Sequence, residues 1–120
     1  MTGQDESFGK EERLTKTHQF KRVYNQGKSV ANNLVVLYVL KKSNDQQRRV
    51  GFSVSKKIGK AVVRNKVKRR LKEVYRRHKN RLISGIDLVV IARQGIDQAT
   101  YEEIKESLLG IYNKAQVLQD

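Results

Sequence analysis

The residues best equipped for chemistry lie between positions 56 and 81, where 13 of the chain's 26 lysines and arginines occur with a single acid, Glu73. Read as a helix, this stretch sorts its charges into stripes. Arg64, Lys68 and Lys72 follow one another at i+4 beside an apolar seam of Val63, Val67 and Leu71, while Asn65, Arg69 and Arg76 or Arg77 continue around the exposed surface. Such a face offers a line of cationic donors to a phosphate track. Arginine can bind a phosphate through two parallel hydrogen bonds, and asparagine can donate and accept at a sugar or base edge. A merely solvated basic face would intersperse glutamates at i+4, and that partnering is nearly absent. Ahead of the helix, Ser53-Val54-Ser55-Lys56-Lys57-Ile58-Gly59-Lys60 brings hydroxyls, lysines and a glycine to a helix N-terminus, where backbone amides and positive charge converge on an anion.

Other chemistries fare worse. Nothing in the spacing of His18 and His78 brings them together as an acid-base pair, and His78 between Arg77 and Lys79 reads as another polyanion contact. Asp87 and Asp97 have no second carboxylate at ligand spacing, so neither a catalytic residue nor an intrinsic metal site is expected. The absence of cysteine excludes disulfides, thiolate metal sites and thiol chemistry. The formal charge is +14 over 120 residues, of which the 56–81 segment carries +12 and the other 94 residues +2. Charge so concentrated points to a polyanionic partner at one place. Nucleic acid suits it better than a membrane surface, because the face opposite the charges is mostly Val rather than Trp, Phe and Leu. With a polar, acidic opening and no run of about 18 apolar residues, neither signal peptide nor membrane span is expected, and the protein is expected to be cytoplasmic.

These side chains need a scaffold, and the patterning supplies one domain at 13–120 behind a loose start at 1–12. Phe20, Val23 and Tyr24 mark a short helix over His18 to Asn25, with Thr17 as N-cap and Gly27 as stop. Leu34 to Leu40 is a β-branched and aromatic run, and Val50, Phe52 and Val54 alternate with Gly51, Ser53 and Ser55, so the two read as an antiparallel hairpin. The basic helix runs from about Gly59 to Asn80, and Ile86 to Ala92 is a third strand. Thr100-Tyr101-Glu102-Glu103 is a capping box opening a last helix with Tyr101, Ile104, Leu108, Ile111 and Ala115 inward. The expected class is α+β, a two-layer α/β sandwich in the order α-β-β-α-β-α. A crossover between parallel neighbours in it would ordinarily be right-handed.

The run Arg64-Asn65-Lys66-Val67-Lys68-Arg69-Arg70-Leu71-Lys72-Glu73, preceded by Val50 to Ala61, resembles the R-N-x-x-K-R-x-x-R-E signature of the bacterial ribonuclease P protein subunit. The likeness extends from about Leu14 to Ala115 and takes in Phe20, Tyr24, Gly27-Lys28-Ser29, Tyr38 and Ile91-Ala92-Arg93. At Lys72 the family usually has Arg, so the charge is kept and the planar fork lost. The resemblance implies a ribosomal-protein-like fold with the rare left-handed βαβ crossover. It also implies a partner, the catalytic RNA, bound by Arg64, Asn65, Lys66, Lys68, Arg69 and Lys72. A second partner is precursor tRNA, whose single-stranded 5′ leader would lie in a cleft lined by Phe20, Tyr24, Tyr38 and Ser53 and gripped by Lys56, Lys57, Lys60 and Arg93. Mg²⁺ would be held by the RNA, which hydrolyses the phosphodiester, while the protein binds and positions without needing to oligomerise. A structural RNA-binding module, such as a ribosomal or assembly protein, would share the charge, size and element order. It would not need an exposed aromatic cleft separate from the basic face.

Overall fold

The computed structural model describes residues 9–119. A 3-10 turn at Lys10–Glu12 is followed by α1 (Thr17–Gln26), β1 (Lys28–Ala31), β2 (Val35–Lys41), β3 (Arg49–Ser53), α2 (Ala61–His78), β4 (Ile86–Ala92) and α3 (Tyr101–Lys114). Two further 3-10 turns lie at Lys79–Arg81 and Ile96–Gln98. The expected order α-β-β-α-β-α is present, with one strand, β1, added after the first helix. Most of the start expected to be loose lies outside the described residues. Within them, Glu12 is held in place, its carboxylate 2.6 Å from the ammonium of buried Lys79.

Local chemistry explains the boundaries. Thr100 caps α3 by accepting from the Glu103 amide at 3.1 Å, and the Glu103 carboxylate returns a bond to the Thr100 amide at 2.8 Å. At α1 the cap is Lys16 rather than Thr17, because the Gln19 side chain takes up the free amides of Thr15 and Lys16. Gly27 does stop that helix, and the reason is space: a Cβ there would sit 2.6 Å from the Val23 carbonyl and 2.7 Å from that of Val39. β1 joins β2 through an Asx turn in which Asn32 Oδ1 accepts from the amides of Leu34 and Val35.

The sheet order is β1-β2-β4-β3, antiparallel except for the parallel pair β3–β4. This corrects the expected hairpin of the second and third strands, since β4 lies between them. Nearly all of β4 is buried on both faces, which demands the centre of a sheet. The polar connection after β2 ties itself to the approach to β4, Lys42 donating to the Gly85 carbonyl and Gly85 to that of Gln46. It therefore never forms a tight turn back onto β2. The crossover from β3 to β4 runs through α2.

One face of the sheet packs Leu37, Val50, Phe52, Leu88 and Val90 against α2 and α3, forming the two-layer sandwich and the main core. Val67, Leu71, Val74 and Tyr75 are the buried side chains of α2, and each adds about 1.5–3 kcal/mol by leaving water. On the other face α1 covers only part of the sheet, joining Val23 to Leu40 and Val89, with Phe20, Tyr38 and Ile91 around them. Gly51 makes this docking feasible, because a Cβ there would lie 2.5 Å from the Phe20 ring. Also on this face, the buried carboxylate of Asp87 is shared by Lys42 at 2.9 Å and Arg49 at 2.8 Å.

Candidate nucleic-acid interface

The amphipathic period of α2 fixes where its charges stand. Asn65, Lys66 and Arg69 are exposed, whereas Arg64, Lys68 and Lys72 are half-buried beside the apolar seam. The Arg64 guanidinium folds back on the helix start, its Nε donating to the Gly59 carbonyl at 3.1 Å. Arg70 is committed within the fold, since its Nη1 donates to the Ala99 carbonyl at 3.0 Å and fixes the approach to α3. Farther along, Glu73 takes both Arg76 at 2.9 Å and Arg77 at 2.7 Å. Hydrogen bonds from Arg76, then from Arg77, hold its carboxyl below the usual range. The cations least committed within the fold therefore lie toward the first half of α2.

The aromatic residues gather on the opposite face of the sheet. Phe20 and Tyr24 stand one turn apart on α1, with ring centroids 6.4 Å apart, and the Tyr24 ring meets that of Tyr38 edge-on at 5.0 Å and 73°. Tyr24 is 36% exposed. Burial, and then Tyr38, push its hydroxyl pKa up, while the nearby Ser53 side chain opposes them. Strand register places Gly51, Val89 and Tyr38 in one row across the sheet and Ser53, Ile91 and Val36 in the next. The second row is only half-buried, leaving a floor open beside the Tyr24 ring.

At the far end of β3 and β4, Lys57 and Arg93 share a depression of about 470 Å³ with Asn33, Ser55 and Ile58. Arg93 is oriented by donating to the Asn32 carbonyl at 2.6 Å. Lys56 and Lys60 are exposed in the segment between β3 and α2, and neither lines that depression. The expected leader residues thus divide into an aromatic cluster with Ser53, a cationic depression with Lys57 and Arg93, and two outlying lysines. His18, on α1, and His78, at the end of α2, lie on elements packed against opposite faces of the sheet. Among the described residues no group of three or more His, Cys, Asp or Glu could hold a metal ion, and no helix is long and apolar enough to cross a membrane.

Arg13 is the residue that sequence reasoning missed. It pairs with Val50 in a parallel bridge along the free edge of β3, and so reaches a depression of about 180 Å³ also lined by Lys68 and Lys72. This long-range bridge, with Glu12 held by Tyr75 and Lys79, brings position 13 to α2, and no local pattern announces it.

Comparison with known proteins bears on the family and the fold. A family model described as Ribonuclease P matches residues 8–116. The chain is 44% identical over 110 residues to the ribonuclease P protein component of Halalkalibacterium halodurans, covering 92% of each chain. It is 46% identical over 107 residues to that of Brevibacillus brevis, covering 89% of this chain and 85% of the relative. Among solved structures, the RNase P protein of Staphylococcus aureus superposes with a TM-score of 0.83 at 39% identity, over 90% of this chain and 98% of that one. The protein from Thermotoga maritima gives 0.76 at 34% identity, over 86% and 96%.

Proposed function

The chain belongs to the ribonuclease P protein family, the tRNA-processing protein components, and from that membership we propose that it serves two RNAs on two surfaces. In this reading α2 binds the catalytic RNA through Arg64, Asn65, Lys66, Lys68, Arg69 and Lys72. The cleft beside α1 takes the 5′ leader of precursor tRNA, with Phe20, Tyr24 and Tyr38 as stacking surfaces and Ser53 beside them. Lys56, Lys57, Lys60 and Arg93 hold the leader backbone. Stacking tolerates any base, which suits a subunit serving many precursors. The holoenzyme works in the cytoplasm, and no protein oligomer is required.

The observation that carries the proposal is the separation of these surfaces: the cationic helix packs on one side of the sheet and the partly covered aromatic floor lies on the other. A structural RNA-binding module would need only the first. Mg²⁺ bound to the RNA would supply water activation and stabilisation of the leaving oxygen. Among the described residues no group of three or more His, Cys, Asp or Glu could hold that ion, and buried Asp87 is already taken by Lys42 and Arg49. No step of the hydrolysis is therefore assigned to a protein side chain. The deciding experiment adds the protein to its cognate catalytic RNA at low Mg²⁺. Restored cleavage of precursor tRNA is the expected result, and RNA binding without restored cleavage would favour a structural module instead.

A further inference from the structure

On the outward face of α2 stands Val62, 79% exposed, and we propose that it is a non-ionic contact on which the face of one unpaired nucleobase of the catalytic RNA packs. The inference rests on the reading of α2 as the RNA-binding face and adds to its cations a residue with no charge.

Two adjacent valines at the start of the helix meet opposite fates. Val63 packs against the main core, whereas Val62 points away from it into solvent. At 3.6 residues per turn, Val62 stands nearly opposite the buried stripe of Val67 and Leu71. Among the described residues, the large hydrophobic side chains that stand exposed are Tyr24 and Val62, and each lies on one of the two proposed RNA surfaces. Tyr24 still rests its ring against Tyr38, and Val62 is the more exposed of the two. A β-branched valine is a poorer helix former than alanine, lysine or arginine, and here no packing in the free domain offsets that. A local choice that the fold does not reward is expected where a partner rewards it.

The surroundings of Val62 say what that partner offers. Asn65, Lys66 and Arg69 follow it at i+3, i+4 and i+7, all exposed, so its methyl groups are bordered by an amide and two cations. The first turn of α2 contains no acid, and the first acid along the helix, Glu73, comes eleven residues on. Such a border favours a polyanion. A phosphate gains nothing from two methyl groups and would lose water over them. The apolar surface of an RNA is the face of its bases, open to a side chain where a base is unpaired and unstacked. With that face on Val62, the base edge lies toward the Asn65 amide and the flanking phosphates toward Lys66 and Arg69.

The test follows binding of the full-length protein to the catalytic RNA over a range of salt. An apolar contact adds affinity without releasing counterions. Val62→Ala, and Val62→Thr, which keeps the shape but replaces a methyl group by a hydroxyl, should each weaken binding about five- to tenfold at every salt, leaving the slope of log affinity against log salt unchanged. Val62→Ile, which keeps the apolar surface, should bind as the wild type does, and Lys66→Gln should instead reduce the slope by about one. Val62→Ala should unfold at no lower temperature than the wild type, because alanine is the better helix former and no core contact is lost. Wild-type affinity in Val62→Ala, or a loss that comes with a shallower slope, would overturn the proposal. Because the chain has no cysteine, Val62→Cys can carry a single photoreactive label. In the assembled holoenzyme its crosslinks should map to one unpaired nucleotide of the catalytic RNA. Crosslinks spread along a duplex, to a second copy of the chain, or to no RNA at all would overturn the assignment to a base. Failure of the reading of α2 itself shows separately, as RNA affinity and slope indifferent to Lys66→Gln and to charge reversal at Arg64 and Arg69.

Discussion

Tyr38 shows how one side chain can belong to both a core and a surface. One side of its ring meets Tyr24 at 5.0 Å, and its strand neighbours lead onto the half-buried row of Ser53, Ile91 and Val36. If the leader stacks there, Tyr38→Ala should weaken precursor tRNA binding by about 5- to 150-fold, the range for one lost stacking contact. Mature tRNA, which has no leader, should bind as before, and parallel equilibrium titrations of the two tRNAs would decide. Equal losses would make Tyr38 a packing residue. Tyr75 gives a different readout. Burial is the main cause that pushes its hydroxyl pKa up to about 12, against the bond from Arg48. A raised acid contributes stability that is fully present below its unfolded value near 10 and is lost as pH rises toward 12. Unfolding free energy measured in urea should therefore fall across that interval. In Tyr75→Phe, which starts less stable for want of the Arg48 and Glu12 bonds, it should fall less steeply.

At the scale of elements, α2 divides its labour by angle. Val67, Leu71, Val74 and Tyr75 hold it to the sheet, Arg70 braces the approach to α3, and Glu73 occupies Arg76 and Arg77. Reversal of Arg64 and Arg69 to Glu should leave the fold standing, because neither belongs to the buried stripe, although Arg64 gives up its bond to Gly59. Catalytic-RNA binding should drop sharply while the circular dichroism spectrum and unfolding midpoint stay close to wild type. If about six phosphates are neutralised in the wild type, its affinity should fall roughly a thousandfold between about 50 and 200 mM salt. The double variant should show a shallower dependence. Unchanged assembly would remove α2 from the interface. The period of α2 and the capping box of α3 were legible because both are local: a stripe repeats every turn, and Thr100 reaches Glu103 within one. β1 was not, because Lys28-Ser29-Val30-Ala31 contains one β-branched residue and becomes a strand only through the Asx turn at Asn32.

Across the whole molecule, what escaped the sequence is what depends on distant partners. The aromatic cluster could be named from Phe20, Tyr24 and Tyr38, yet its open side follows from α1 covering only part of the sheet, and Arg13 comes to line the same depression as Lys68 along the edge of β3. The same holds for the sheet order, which nothing near β2 or β3 encodes. Because β4 separates those strands, β3 has no strand partner until residue 92, more than three-quarters of the way along the chain. A polypeptide leaving the ribosome in order must therefore expose the whole 56–81 polycation before its sheet can close. Contacts of such long span are slow to form, so the nascent polycation is exposed before the finished domain exists. A chain ended after residue 81 should lack cooperative unfolding by circular dichroism yet still bind RNA with strong salt dependence, and extension through β4 and α3 should restore the cooperative transition. Cooperative folding of the shorter chain would refute this order of events. For a newly made copy, the timing of synthesis thus sets a competition between folding and premature capture by the wrong RNA.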